Sequence, residues 1–122
     1  MREVILKLYP SKDAPRISRS QLTEMREDLG RRYDDAALII SELVTNSVRH
    51  SVEAPISVTV RTQADRVRLE VQDEGPCFDV GEPHGDGLGL KFVEKVADRW
   101  GVENGWPCTV WVELVLEGPD LL

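Results

Sequence analysis

The chain has 122 residues, 41% apolar and 30% charged, which is globular composition for one domain over residues 1–122 and too little for two. Acidic residues outnumber basic ones 22 to 15, and a net charge of −7 excludes nonspecific binding to nucleic acid, which needs clustered Lys and Arg. It leaves room for one small phosphate ligand in a local pocket.

Val4 to Tyr9 read as a strand ending at Pro10, followed by a connector over 10–17 that holds Pro10 and Pro15. Ser18 or Ser20 then caps a helix through about Leu29, with Gly30 as its stop. A second helix runs from Asp34 or Asp35 to Ser51. Ala36, Ile39, Ile40, Leu43, Val44 and Ser47 recur there at helical spacing. Ile56–Val60 and Val67–Val71 alternate as two antiparallel strands, joined by a turn at Gln63-Ala64-Asp65. Residues 74–87 hold Gly75, Gly81, Gly85 and Gly87 with Pro76 and Pro83, and read as a long binding loop. A helix from about Leu88 to Arg99 follows. A short strand near 101–103 and a long one over Thr109–Leu116 close the chain. The order β-α-α-β-β-loop-α-β-β predicts an α+β, two-layer sandwich: a mixed, mostly antiparallel sheet with helices on one face.

A domain of this size buries roughly two-thirds of its unfolded surface and needs no disulfide or metal to fold. Cys77 and Cys108, without a CxxC, leave no four-cysteine zinc site. The expectation is free buried thiols, with a regulatory disulfide of Cys77 and Cys108 as the alternative. Met1-Arg2-Glu3-Val4 carries no signal peptide, and no apolar run reaches the ~20 residues of a membrane helix, so a cytoplasmic protein is expected.

Glu42, Asn46 and His50 lie at i, i+4 and i+8 and share one helix face. That face is either a solvated edge or a general base beside an oxygen ligand for a hard cation. Mg²⁺ takes few protein oxygens and fills its shell with water and phosphate, so one Asn suits it. Asp73 ends an apolar strand, either as a simple turn or as the acceptor for a ligand amino group; Gly75 then lets the ligand approach closely. Gly85, Gly87 and Gly89 lead into a helix, as a hinge or as an anion site of backbone N–H groups. Their GxGxG spacing is neither the dinucleotide-binding fingerprint nor a P-loop. Trp100, Trp106 and Trp111 read as core or sheet-face packing, and His84 as a solvated loop residue.

Taken in order, these signals resemble the ATP-binding domain of the gyrase and histidine-kinase superfamily, the Bergerat fold. The carriers are the ExxxN helix (Glu42, Asn46), the DxG strand end (Asp73, Gly75), the glycine stretch from Gly85 to Gly89, and Gly105 to Thr109 before the last strand. Glu42-Leu43-Val44-Thr45-Asn46-Ser47-Val48-Arg49-His50 and Thr109–Leu114 are similar to the stand-alone anti-sigma-factor serine kinase branch, and the free-standing length fits it.

The resemblance implies ATP and Mg²⁺ as cofactors. It makes Glu42 the catalytic base, Asn46 the Mg²⁺ ligand and His50 a phosphate-side residue. Asp73 receives the adenine amino group beside Gly75. Gly85, Gly87 and Gly89 wrap the phosphates, Leu88 completes that nucleotide-binding stretch and with Leu90 packs the helix onto the sheet, and Thr109 supports the adenine end. It further implies an ATP-dependent protein serine kinase that phosphorylates a STAS-type antagonist and sequesters a sigma factor, with no direct nucleic-acid or membrane contact. Relatives of this branch often dimerise, so the resemblance admits a homodimer. Cys77 replaces a frequent second glycine of the DxGxG pattern, and Asp86 puts a carboxylate into the phosphate loop, where it repels triphosphate unless it points away or meets the metal. The alternative is therefore a nucleotide-gated binding module that regulates a partner without phosphoryl transfer. An orphaned histidine-kinase piece ranks last, because no phosphorylatable His lies on a bundle-forming helix.

Overall fold

Alternation of apolar and polar residues builds the sheet. The computed structural model describes residues 2–50, 54–74, 88–103, 105 and 107–116. Five strands, β1 (Arg2–Leu8), β2 (Ile56–Gln63), β3 (Arg66–Asp73), β4 (Arg99–Glu103) and β5 (Cys108–Val115), pair in the order β1-β2-β3-β5-β4. All the pairings are antiparallel, where the sequence reading allowed a mixed sheet. Val58 opposes Val71, Val60 opposes Leu69, and Leu69 opposes Val112, so the apolar members of three strands form one continuous surface. A slip of one residue would turn that whole set to the other face, which is why the register is strongly specified.

The helices cover this surface: α1 (Ala14–Gln21), α2 (Arg26–Leu29), α3 (Tyr33–His50) and α4 (Leu88–Val96), with 3₁₀ turns at Leu22–Met25 and Gly30–Arg32. In the core, Ala36, Ile39, Ile40, Leu43 and Val44 of α3 are buried against the sheet, and α1 and α4 each pack against α3. Each fully buried aliphatic side chain contributes roughly 1.5–3 kcal/mol.

Three helix boundaries differ from expectation, each for a local reason. The first helix opens at Ala14, inside the expected connector. Pro15 stands in its first turn, where its missing N–H costs nothing and its fixed φ suits a helix. Ser18 and Ser20 therefore do not cap; their hydroxyls donate back to the carbonyls of Pro15 (2.7 Å) and Arg16 (3.1 Å). Before Leu29 the helix tightens into 3₁₀, resumes, and ends at Gly30, whose φ of 52° and ψ of −125° suit glycine and no other residue. Second, α3 starts at Tyr33, so Asp34 and Asp35 occupy its first turn and meet the positive end of the helix dipole. Ser51 lies outside the described residues. Third, α4 stops at Val96, short of Arg99, which opens β4. Arg32 reaches across to donate Nη2–H to the Val96 carbonyl at 3.0 Å, satisfying a last-turn acceptor.

Among the described residues no helix covers the sheet's other face. Arg68 lies there over the Trp111 ring at 4.4 Å, with Nε 2.6 Å from Glu70 and Nη1 3.3 Å from Glu113. Burial works against the Arg68 charge, but Glu70 and Glu113 outweigh it and hold its pKa above the ordinary value. Gly101 opposes Trp111, and a Cβ there would lie 2.9 Å from the indole. Glycine is thus required by the close approach of the ring. Trp100 packs against the core, so two of the tryptophans take the expected packing roles; Trp106 and His84 lie outside the described residues.

Candidate functional site

The site begins on α3. Its apolar stripe fixes the rotation of the helix, and that rotation decides where the polar residues stand. Leu43 is 2% exposed, whereas its neighbour Glu42 and, one turn on, Asn46 are half-buried at the margin of the packed stripe. Successive turns rise ~5.4 Å, so the two groups stack along one edge. Neither side chain makes a hydrogen bond or ion pair among the described residues. Nearby polar groups are committed instead: Ser41 accepts Arg19 Nη1–H at 2.8 Å, and Thr45 donates to the Ser41 carbonyl at 2.7 Å. His50 is the last residue of α3.

Asp73 ends β3, the strand on which α3 packs. Val67, Leu69 and Val71 are buried toward the helices, so alternation puts half-buried Asp73 on the same side. Its direct partner across the sheet is Cys108, the first residue of β5, 4% exposed. Thr109 pairs with Gln72 and falls on the helix-free face with Trp111 and Glu113. The structure therefore brings Cys108, and not Thr109, to the side of Asp73. Strand parity in the sequence carries this signal: Val110, Val112 and Leu114 mark the buried set, and one step back along it lands on Cys108.

Cys108 is disulfide-bonded, which corrects the expectation of a free thiol. The sequence holds one other cysteine, Cys77, which lies outside the described residues. Gly75, Gly85, Gly87 and Asp86 also lie outside them. Leu88 and Gly89 form the first turn of α4, which packs against α3. Among the described residues no three His, Cys, Asp or Glu side chains converge as a metal cluster. A single Asn ligand with water and phosphate does not require one. No helix among those residues is long and apolar enough to cross a membrane.

This arrangement has relatives. The "RsbU and RsbW domains of Rv1364c from Mycobacterium tuberculosis" superpose with a TM-score of 0.76 at 23% identity, over 95% of this chain and 32% of that one. This chain thus spans about a third of that structure. The Acinetobacter baumannii histidine kinase AdeS superposes with a TM-score of 0.56 at 13% identity, over 93% of this chain and 68% of that one. At such identities the likeness is one of fold. Among curated proteins no sequence matches. The family model described as "Histidine kinase-, DNA gyrase B-, and HSP90-like ATPase" matches residues 32–118, from the turn before α3 past the end of β5, and the chain belongs to that family.

Proposed function

We propose that this protein binds ATP with Mg²⁺ and acts as an anti-sigma-factor serine kinase, phosphorylating a STAS-type antagonist and sequestering a sigma factor. One observation carries the reading: on the central helix of an ATPase of this family, Glu42 and Asn46 stand half-buried, one turn apart, and uncommitted to any described side chain. Two polar groups held at the edge of a packed helix without partners among the described residues fit a ligand that supplies them. The likeness to a structure containing an RsbW domain supports the anti-sigma branch, as do the residues from Glu42 to His50.

Bound ATP supplies the transferable phosphoryl group, and Mg²⁺ neutralises its charge. Asn46 presents an amide oxygen to the metal, with His50 on the phosphate side. Glu42 accepts the proton of the attacking serine hydroxyl. Asp73 accepts a hydrogen bond from the adenine amino group, and Gly75 leaves room for the base. Backbone N–H groups of Gly85 and Gly87, together with those of Leu88 and Gly89 at the start of α4, hold the phosphates. Thr109 lies on the sheet's other face, so Cys108 takes the place beside Asp73. The reading puts the protein in the cytoplasm, within reach of a sigma factor and an antagonist, without direct contact to nucleic acid and able to form a homodimer.

Asp86 in the glycine stretch favours a second reading, a nucleotide-gated binding module without transfer. Labelled ATP offered with candidate STAS antagonists separates the two. Transfer that disappears in Asn46→Ala supports the kinase. If Asp86 only repels the phosphates, Asp86→Arg raises the rate. Absence of transfer from both the wild type and Asp86→Arg, with ADP still bound, refutes the kinase and leaves the module.

A further inference from the structure

We propose that Arg32 is a positioning residue of the nucleotide site: it clasps the last turn of α4 and thereby sets where the first turn of that helix stands against the phosphates. The proposal rests on the reading that the first turn of α4 holds them. Arg32 ends the 3₁₀ turn that leads into α3. Its Nη2–H donates to the Val96 carbonyl at 3.0 Å. The carboxylates around it stand farther off: Asp35 Oδ2 is 3.5 Å from Nε, and Asp98 Oδ2 is 3.5 Å from Nη2. The short bond is therefore the one to the helix, and the ion pairs surround it. Asp98 is itself fixed, since its Oδ2 accepts the Val115 N–H of β5 at 2.7 Å.

The described side chains of α4 give it a narrow seat. The helix has nine residues, and one so short is marginal without tertiary contacts. From residue 91 to its end Val93 alone is buried; Phe92 and Val96 are half-buried against the core, and Lys91, Glu94 and Lys95 are exposed. The last carbonyls of a helix have no intrahelical partner, and Val96 supplies one of them. A guanidinium there satisfies the carbonyl and meets the negative end of the helix dipole.

The first turn of α4 lies roughly 13 Å away along the same rod of hydrogen-bonded backbone. With its last turn anchored, the helix presents its first N–H groups in one place. With that turn loose, the helix tilts about Val93 and the N–H groups move. Asp73 belongs to β3, which the tilt leaves where it was. The clasp therefore governs the grip on the phosphates and not the grip on adenine.

The test uses the full chain and the variants Arg32→Ala and Arg32→Lys. Calorimetry with ADP and Mg²⁺ reads both ends of the site, and displacement of labelled ADP by adenosine reads the adenine end alone. In Arg32→Ala, ADP is expected to weaken about three- to tenfold as the fraction of chains with α4 in place falls, while adenosine stays within about twofold of the wild type. Arg32→Lys keeps the cation and drops the buried Nε–H, which has no acceptor among the described residues; it is expected to recover most of the ADP affinity. Circular dichroism checks folding. Should Arg32→Ala not fold, Arg32→Met, which keeps the apolar stem and loses the donor, takes its place with the same expected result. Loss of the fold in both makes Arg32 a structural residue and overturns the proposal. Equal ADP affinity in the folded variant and the wild type also overturns it and leaves the nucleotide site standing. A parallel fall of ADP and adenosine does the same, because it marks general damage to the domain. If the wild type binds no ADP, or binds ADP that adenosine fails to displace, the nucleotide site itself is refuted, and the clasp with it.

Discussion

Glu42 and Leu43 are neighbours on α3, and their substitution by alanine is expected to do opposite things. Leu43 is 2% exposed in the middle of the helix–sheet core, so Leu43→Ala leaves a cavity and costs about 2–5 kcal/mol. For a chain of 122 residues the unfolding entropy is roughly 0.26 kcal/mol per degree, so a loss near 3 kcal/mol lowers the melting temperature by about 12 °C. Glu42 is half-buried and makes no hydrogen bond or ion pair among the described residues. Glu42→Ala should therefore change stability by no more than ~0.5 kcal/mol, about 2 °C. A general base acts on the attacking hydroxyl and not on the adenine or diphosphate. Its removal should slow phosphoryl transfer by about 10²–10⁴ while ADP affinity stays within a few-fold. Thermal melts, ADP calorimetry and transfer of labelled phosphate, run on both variants, decide the matter. If Glu42→Ala melts as low as Leu43→Ala, Glu42 is a structural residue and the assignment of this helix edge is wrong. Transfer at the wild-type rate in Glu42→Ala removes the base role directly.

Two further outcomes follow from the sheet. Asp73→Ala should weaken ADP about fivefold to a hundredfold, because the half-buried carboxylate as acceptor is worth roughly 1–3 kcal/mol to a ligand donor; equal affinities by calorimetry would sink the pocket. Gly101→Ala drives a methyl to 2.9 Å from the Trp111 ring, which must move off its stack with Arg68. The expected cost is about 1–3 kcal/mol with a shift in tryptophan emission, and an unchanged denaturation midpoint argues against the packing described.

The sequence made the periodic elements legible. Strands β2 and β3 alternate cleanly, and α3 carries an unbroken apolar stripe, so local pattern and tertiary burial agree there. The opening of α1 was hidden because proline reads as a breaker, although in a first turn it is favourable. Arg32 could not be foreseen as the closure of α4, since its partner at Val96 lies far along the chain and only the fold brings them together. Within the site, the ExxxN face could be read from helical spacing alone. The residue beside Asp73 could not be named by type: a threonine looked suited to an adenine pocket, but position along an alternating strand, and not side-chain chemistry, decides which face a residue serves. Threonine and cysteine are adjacent, and parity selected the cysteine.

Among the described strands β1 stands at one end of the order and pairs with β2 alone. The β2–β3 hairpin closes over Ala64 and Asp65, whereas Arg2 meets Thr62 from 60 residues away. Loop-closure entropy grows with the chain enclosed, so the hairpin forms locally while the first strand pays for a long-range encounter. During synthesis Val4, Leu6 and Leu8 leave the ribosome before the helices and the hairpin, and have nothing to cover until those have been made. A strand made before its partners is thus buried after them. In the meantime its charged neighbours Arg2, Glu3 and Lys7 keep an unpaired edge from recruiting other chains.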